Sequence, residues 1–456
     1  MTFKKNKWCK RVNIFKKKIS FISNFISIGY IISINNFLVK ASGITLPIGK
    51  FCFIENNNQN KAPTIICKIV GFSKKNSFLM PLYSLDGIFP GAKVFSYSFF
   101  SSTFLIFDKL PFSYKLLGRV LDSFGLPLDG LNNIHTDDYR DLSSQIINPL
   151  NRAPIKEIFD TGICAINSLL TIGKGQRIGI FARAGVGKSM LLGMIARHSK
   201  VDIIVIVLVG ERGREVKEFL DNILGPESLK KSVVIVSPAG TSPLFRVQAI
   251  QYATSIAEYF CKKNNNILLI ADSLTRYAMA YREISLSINE IPIAKGYPAS
   301  IFSKIPELIE RTGNISKNFG SITAIYTILT EGDESNDPIL DISKSILDGH
   351  IFLSNDLADT GHYPAIDISK SISRVMSSII NSRHRKSAIY IKKLISCYIL
   401  HQDLITLGAY VVGTNNLLDI AIKIWPKLTK FLQQDFFEHF SYQYSIEKLE
   451  KLLNNI

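Results

Sequence analysis

The chain has 456 residues, 46% of them hydrophobic and 20% charged, which is enough apolar material for two or three packed domains and excludes a disordered protein. Its 54 Lys and Arg against 37 Asp and Glu leave a formal charge of +17, but no base-stacking aromatic motif accompanies that charge, so nucleic acid is not an expected partner. Six scattered cysteines without a C-x-x-C pair, and seven histidines without H-E-x-x-H, argue against structural zinc and a disulfide framework and favour a reducing, cytoplasmic compartment.

Residues 1–25 form a basic segment, with Lys4, Lys5, Lys7, Lys10, Arg11, Lys16, Lys17 and Lys18 preceding the first acid, Glu55. The uncharged stretch 19–39 is broken by Ser20, Ser23, Asn24, Ser27, Ser33, Asn35 and Asn36, too polar for a signal peptide or an anchor. A basic segment of this kind suits a partner protein or peripheral contact with an anionic membrane. Residues 26–112 then carry short β-branched and aromatic runs at 37–39, 51–54, 64–70 and 104–107, with Pro90-Gly91 as a turn, and predict a small β-barrel or sandwich. A zone rich in turn residues, 118–151, reads as a linker.

The core is expected over 113–385. Beyond Pro154 the apolar runs 176–181, 202–209, 233–236, 267–270 and 322–329 alternate with helical periodicity, and Thr241-Ser242-Pro243 supplies a helix cap with proline in the first turn. Continuous apolar strands are buried on both faces, which predicts a mostly parallel sheet covered by helices, an α/β core. Residues 386–456 read as helical.

Between run 176–181 and the helical residues Met190, Leu191, Leu192, Met194 and Ile195 stands Ala182-Arg183-Ala184-Gly185-Val186-Gly187-Lys188-Ser189. This is the strand, loop and helix setting of a phosphate-binding loop. Glycines let successive amides point at one spot, the helix N-terminus adds partial positive charge, Lys188 adds a cation and Ser189 a magnesium ligand, so ATP with Mg²⁺ is the expected ligand pair. Ala182 stands where such loops have glycine, which is tolerable only if that residue keeps negative φ. Run 267–270 ends in Asp272, placed to order the magnesium shell, and run 202–209 is followed by Gly210-Glu211-Arg212-Gly213-Arg214-Glu215, which places a water-polarising carboxylate at the same sheet end. Glu211 and Arg212 could also form a solvated ion pair.

Together with Asp272-Ser273-Leu274-Thr275-Arg276, Lys295-Gly296-Tyr297-Pro298, Glu331-Gly332-Asp333, Leu347-Asp348-Gly349-His350 and the run from His362 to Ser373, these motifs resemble the catalytic-subunit-like ATPases of the rotary ATP synthase superfamily. Phe181-Ala182, Leu407-Gly408-Ala409-Tyr410 and Phe431-Leu432-Gln433-Gln434 are most similar to its flagellar type III protein-export branch. The resemblance implies a RecA-like P-loop core between an amino-terminal barrel and a carboxyl-terminal helical domain. It assigns phosphate binding to Lys188 and the amides of 185–189, the metal to Ser189 and Asp272, water activation to Glu211, a place near the γ-phosphate to Arg212, and adenine packing to Tyr363. Arg374 becomes an arginine finger reaching a neighbouring subunit's ATP.

It further implies a homohexameric ring that hydrolyses ATP to drive protein export, alongside proton flow, at the inner face of the cytoplasmic membrane. The implied partners are an export regulator, export gate proteins, exported flagellar proteins and their chaperones. A virulence-type III secretion ATPase and a non-catalytic nucleotide-binding subunit of a rotary ATPase are the alternatives. Cys164 and Asn355 depart from the branch's usual basic residues.

Overall fold

The computed structural model describes residues 28–35, 38–56, 64–73, 75–96, 109–142, 148–316, 319–330 and 337–454. The basic segment, the predicted run 104–107 and the Glu331-Gly332-Asp333 motif lie outside these residues.

Six strands, β1 (Ile28–Asn35), β2 (Leu38–Ser42), β3 (Phe51–Glu55), β4 (Thr64–Ser73), β5 (Asn76–Pro81) and β6 (Lys93–Ser96), close into an antiparallel barrel in the order β1-β2-β5-β4-β3-β6. Alternation along β4 sends Ile65, Cys67 and Ile69 inward, where they meet Val39, Ile54 and Leu79. Cys52 and Cys67 face each other in register as free, buried thiols, and burial pushes Cys52 up to about 12. The barrel does not stand apart from the rest of the chain. Leu38, Phe51, Met80 and Leu82 belong to the apolar cluster of the central sheet.

That sheet contains β7 (Val120–Leu121), β8 (Arg177–Ala182), β9 (Ile203–Val209), β10 (Ser232–Ser237), β11 (Ile267–Asp272), β12 (Ser321–Leu329), β13 (Gly349–Leu353) and β14 (Ile366–Ser373), ordered β14-β13-β8-β12-β11-β9-β10-β7. All neighbours in this order are parallel except β13 and β14. Along β9, Val205, Val207 and Val209 enter one apolar cluster while Ile204, Ile206 and Leu208 enter the other. Both faces of the strand are therefore dry, as a continuous apolar run requires.

The zone 118–151 is more than a linker. Val120 and Leu121 pair with Val234 and Ile235, and Leu121 and Phe124 are fully buried. The turn residues that suggested a loop serve that edge strand: the Asp122 carboxylate accepts from the Phe124 and Leu126 amides, and Asp129 holds Arg119 at 2.6 Å.

Three helices flank the site: α1 (Lys188–His198), α2 (Pro243–Cys261), capped by the Ser242 hydroxyl with Pro243 in its first turn, and α3 (Leu274–Ser287). The carboxyl-terminal helices α4 (Ser382–Leu400), α5 (Asn416–Leu432) and α6 (Tyr442–Asn454) bury Leu394, Ile424, Leu428 and Leu449 in the same cluster as Leu191 and Ile195 of α1. The helical domain thus packs on the sheet face that carries the phosphate loop. Among the described residues no helix is long and apolar enough to cross a membrane.

Gly193 fixes the seat of α1. A Cβ there would lie 2.1 Å from Cγ2 of Ile223 and 3.4 Å from its carbonyl. Overpacking of this kind predicts that Gly193→Ala loses about 1–3 kcal/mol, read as a lowered urea midpoint at unchanged m value.

Candidate nucleotide-binding site

The phosphate loop runs from the end of β8 to the start of α1. Gly185 and Gly187 take φ of 87° and 86°, the left-handed region open to glycine, whereas Ala182 closes the strand outside that region and needs no glycine. A Cβ on Gly185 would meet nothing within 4 Å, so the loop opens onto free space. Arg183, Ala184 and Gly185 are exposed, and Val186 is buried as the loop's anchor. The first-turn amides of α1 point out of an 11-residue helix, a ready site for anionic oxygens.

Parallel strands deliver their following residues to one end of the sheet, and here β8, β11 and β9 bring Lys188, Asp272 and Glu211 together. Lys188 Nζ lies 2.5 Å from Asp272 Oδ1 and 3.6 Å from Glu211 Oε1, all three side chains largely buried. Thr327 of β12 donates to the same Asp272 Oδ1 at 2.7 Å and so orients the carboxylate. Ser189, Glu211 and Asp272 line one cavity of about 250 Å³.

Burial and the neighbouring Asp272 charge push the Glu211 carboxyl up to about 7, helped by a hydrogen bond with Glu215 and opposed by Lys188 and Arg276. A carboxylate poised near neutrality is matched to accepting a proton from water. Only the ionised form can accept it, so kcat/KM should fall about tenfold per pH unit below about 7 and level off above it, which a profile from pH 5.5 to 9 will read; a flat profile would deny Glu211 this role.

Arg212 stands on the outer side of this loop, at the solvent face. Its extended backbone turns the side chain opposite to Glu211, so it is 83% exposed and pairs at 3.8 Å with Glu215, apart from Lys188 and Asp272. Arg276, in the first turn of α3, does reach the cluster, with Nη2 3.7 Å from Glu211 Oε2 and Nη1 bonded to the Gly210 carbonyl. Its signal in the sequence was its place three residues after Ser273, whose hydroxyl caps the helix and accepts from the Arg276 amide.

Tyr363 is half exposed, and its ring covers the loop: a Cβ on Gly187 would lie 3.3 Å from it. Arg374 lies at the other end of the sheet. Arg177 grips Asp348 through its backbone amide and guanidinium, the Asp348 carbonyl accepts from the Arg374 amide, and the exposed guanidinium donates to the Lys344 carbonyl at 2.9 Å. Since β8 begins beside Gly349, itself paired with Ser373, Arg374 is separated from its own phosphate loop by the length of β8, roughly 17 Å at the usual strand rise. Gly349 is required there, because a Cβ would strike the Ile372 carbonyl at 2.5 Å.

A parallel sheet that gathers a phosphate loop, a strand-end Asp and a poised Glu defines a P-loop nucleoside triphosphatase. The comparisons refine that class. Residues 162–373 match the nucleotide-binding domain of the ATP synthase alpha/beta family, and residues 380–451 match the EscN ATPase carboxyl-terminal domain of type III secretion systems. The chain is 55% identical over 443 residues to the flagellum-specific ATP synthase of Buchnera aphidicola subsp. Acyrthosiphon pisum, covering 97% of this chain and 95% of that one. It is 46% identical over 456 residues to that of Salmonella typhimurium, covering all of both. Among solved structures, the assembled ATPase EscN of the enteropathogenic E. coli type III secretion system superposes with a TM-score of 0.86 at 40% identity, over 93% of this chain and all of that one. A second EscN structure, assembled with its central stalk EscO, gives a TM-score of 0.82 at 39% identity, over 93% of this chain and all of that one. The chain belongs to the ATP synthase alpha/beta family, in its flagellum-specific branch, and is an ATP-hydrolysing enzyme.

Proposed function

We propose that the chain works as the Mg²⁺-dependent ATPase of a flagellar protein-export apparatus, assembled as a homohexameric ring whose sites lie between neighbouring copies. The observation that carries this reading is the convergence of Lys188, Glu211 and Asp272 at one sheet end while Arg374 stands at the other. Lys188 and the loop amides hold the phosphates, Glu211 accepts a proton from the attacking water, and Arg276 holds Glu211 in place. Arg374, beyond reach of its own site, serves a neighbour's.

The donor set fits magnesium. Ser189 and Asp272 line the same cavity with hard oxygen donors, and the Lys188 and Thr327 contacts both use Asp272 Oδ1, leaving Oδ2 for the ion's hydration shell. The ion, when bound, neutralises charge on the β and γ phosphates.

Assembled EscN supports the ring, and its complex with the stalk EscO supports an axial partner for this chain. The relatives' flagellar names favour flagellar over virulence-type export. The basic segment 1–25 remains our candidate contact for a regulator or for the cytoplasmic membrane surface, with gate proteins, exported flagellar proteins and chaperones as further partners. Expression in place of the Salmonella relative tests the assignment. Restored swimming in soft agar, lost with Lys188→Ala, supports it; rescue only of a virulence-type secretion strain would overturn the flagellar reading.

A further inference from the structure

Between Tyr363 and the carboxyl-terminal helices lies a cleft of about 690 Å³, walled in part by Tyr363, Phe431, Gln434 and Phe440. Gln434 follows α5 and is only 5% exposed. Its side-chain carbonyl accepts from the Cys164 amide at 2.9 Å, and its amide nitrogen donates to the Gly162 carbonyl at 2.8 Å and the Glu438 carbonyl at 2.9 Å. Its backbone amide donates to the Tyr363 carbonyl at 3.0 Å.

A glutamine side chain offers two donors and a carbonyl, and here every one of these groups has a partner. The partners come from three segments: the loop that opens the nucleotide-binding domain, the turn carrying Tyr363, and the loop between α5 and α6. The same Tyr363 ring lies against Gly187 of the phosphate loop. A continuous line of contacts therefore runs from the phosphate loop through Tyr363 and Gln434 into the helical domain.

We infer that Gln434 is a positioning residue for base recognition. It fixes the backbone of Tyr363 and one wall of the cleft, so that the base of a nucleoside triphosphate meets a preformed surface, and it joins that surface to the carboxyl-terminal helices. The inference rests on Tyr363 as the residue that packs on the base. It also makes a distinction between ligands: Gln434 acts on the base and leaves the triphosphate untouched.

Calorimetric titration of the full chain with ATP and with inorganic tripolyphosphate, both with Mg²⁺, separates the two. Gln434→Glu keeps the shape but turns a carboxylate on the Gly162 and Glu438 carbonyls; Gln434→Met removes donor and acceptor at similar length and carries the test if the charged variant fails to fold. Both should weaken ATP by about tenfold and leave tripolyphosphate within about twofold, with Tyr363→Ala weakening ATP in the same way. Equal weakening of both ligands, or unchanged ATP affinity in the Gln434 variants while Tyr363→Ala weakens it, overturns the inference and leaves the base reading standing. Unchanged ATP affinity in Tyr363→Ala overturns both.

Discussion

Lys188→Ala should abolish ATP hydrolysis, lowering kcat by at least about a thousandfold, because it removes the cation aimed at the charge that develops on the transferred phosphoryl group. The same substitution has a second effect that a purely catalytic lysine would not show. Lys188 sits between the Asp272 and Glu211 carboxylates, at 2.5 and 3.6 Å, and is itself largely buried. Taking it away leaves two close negative charges with Arg276 as the remaining cation beside Glu211 among the described residues, which should cost about 1–3 kcal/mol.

The sign of the pH dependence follows from Glu211. Its folded-state value, about 7, already exceeds the ordinary 4.5, so the stability linked to its protonation is complete below the ordinary value and fades as pH rises through 7. Loss of Lys188 raises Glu211 further. The stability deficit of Lys188→Ala should therefore be larger at pH 8 than at pH 6, as thermal midpoints at the two pH values will show, and an equal deficit at both would mean that the buried pair is not the cause.

Arg374→Ala should produce an enzyme that is equally silent and differently broken. The side chain is exposed and hydrogen-bonds the Lys344 carbonyl, so fold and nucleotide affinity should stay within about twofold of the parent chain, with little change in stability. An arginine supplied in trans to phosphoryl transfer contributes about 10³–10⁵ in rate, and kcat should fall by at least the lower of these. ATP affinity lost in parallel would place Arg374 in binding, and undiminished turnover would remove it from the site altogether.

Much of this architecture is legible in the sequence because burial on both sheet faces writes continuous apolar runs, and β8 to β12 were each visible as such a run. The phosphate loop was legible for the same reason: its glycines have φ near 87° and its flanks are an unambiguous strand and helix. Where a short element carries its own turn chemistry the pattern fails. β7 is two residues long amid Asp122, Gly125 and Asp129, and β6 begins with an exposed lysine.

Site residues that depend on direction were harder still. Glu211 and Arg212 are neighbours in a motif, and only the local backbone turns one inward and the other to solvent, while Arg276 approaches Glu211 from about 64 positions further along the chain. Gln434 carried no chemical signal of its own. Its importance arises from backbone partners at Gly162, Cys164 and Tyr363, far away in the chain, which no periodicity records.

A site completed by two copies of one chain is tested most directly by the Mg²⁺-ATPase activity of Lys188→Ala and Arg374→Ala mixed in equal amounts. In a head-to-tail ring formed by random mixing, about a quarter of interfaces would join an intact phosphate loop to an intact Arg374. The mixture should then regain activity that neither variant has alone, up to about a quarter of the parent level. A mixture as inactive as its components, beside a parent enzyme whose specific activity does not change with concentration, would contradict the shared site.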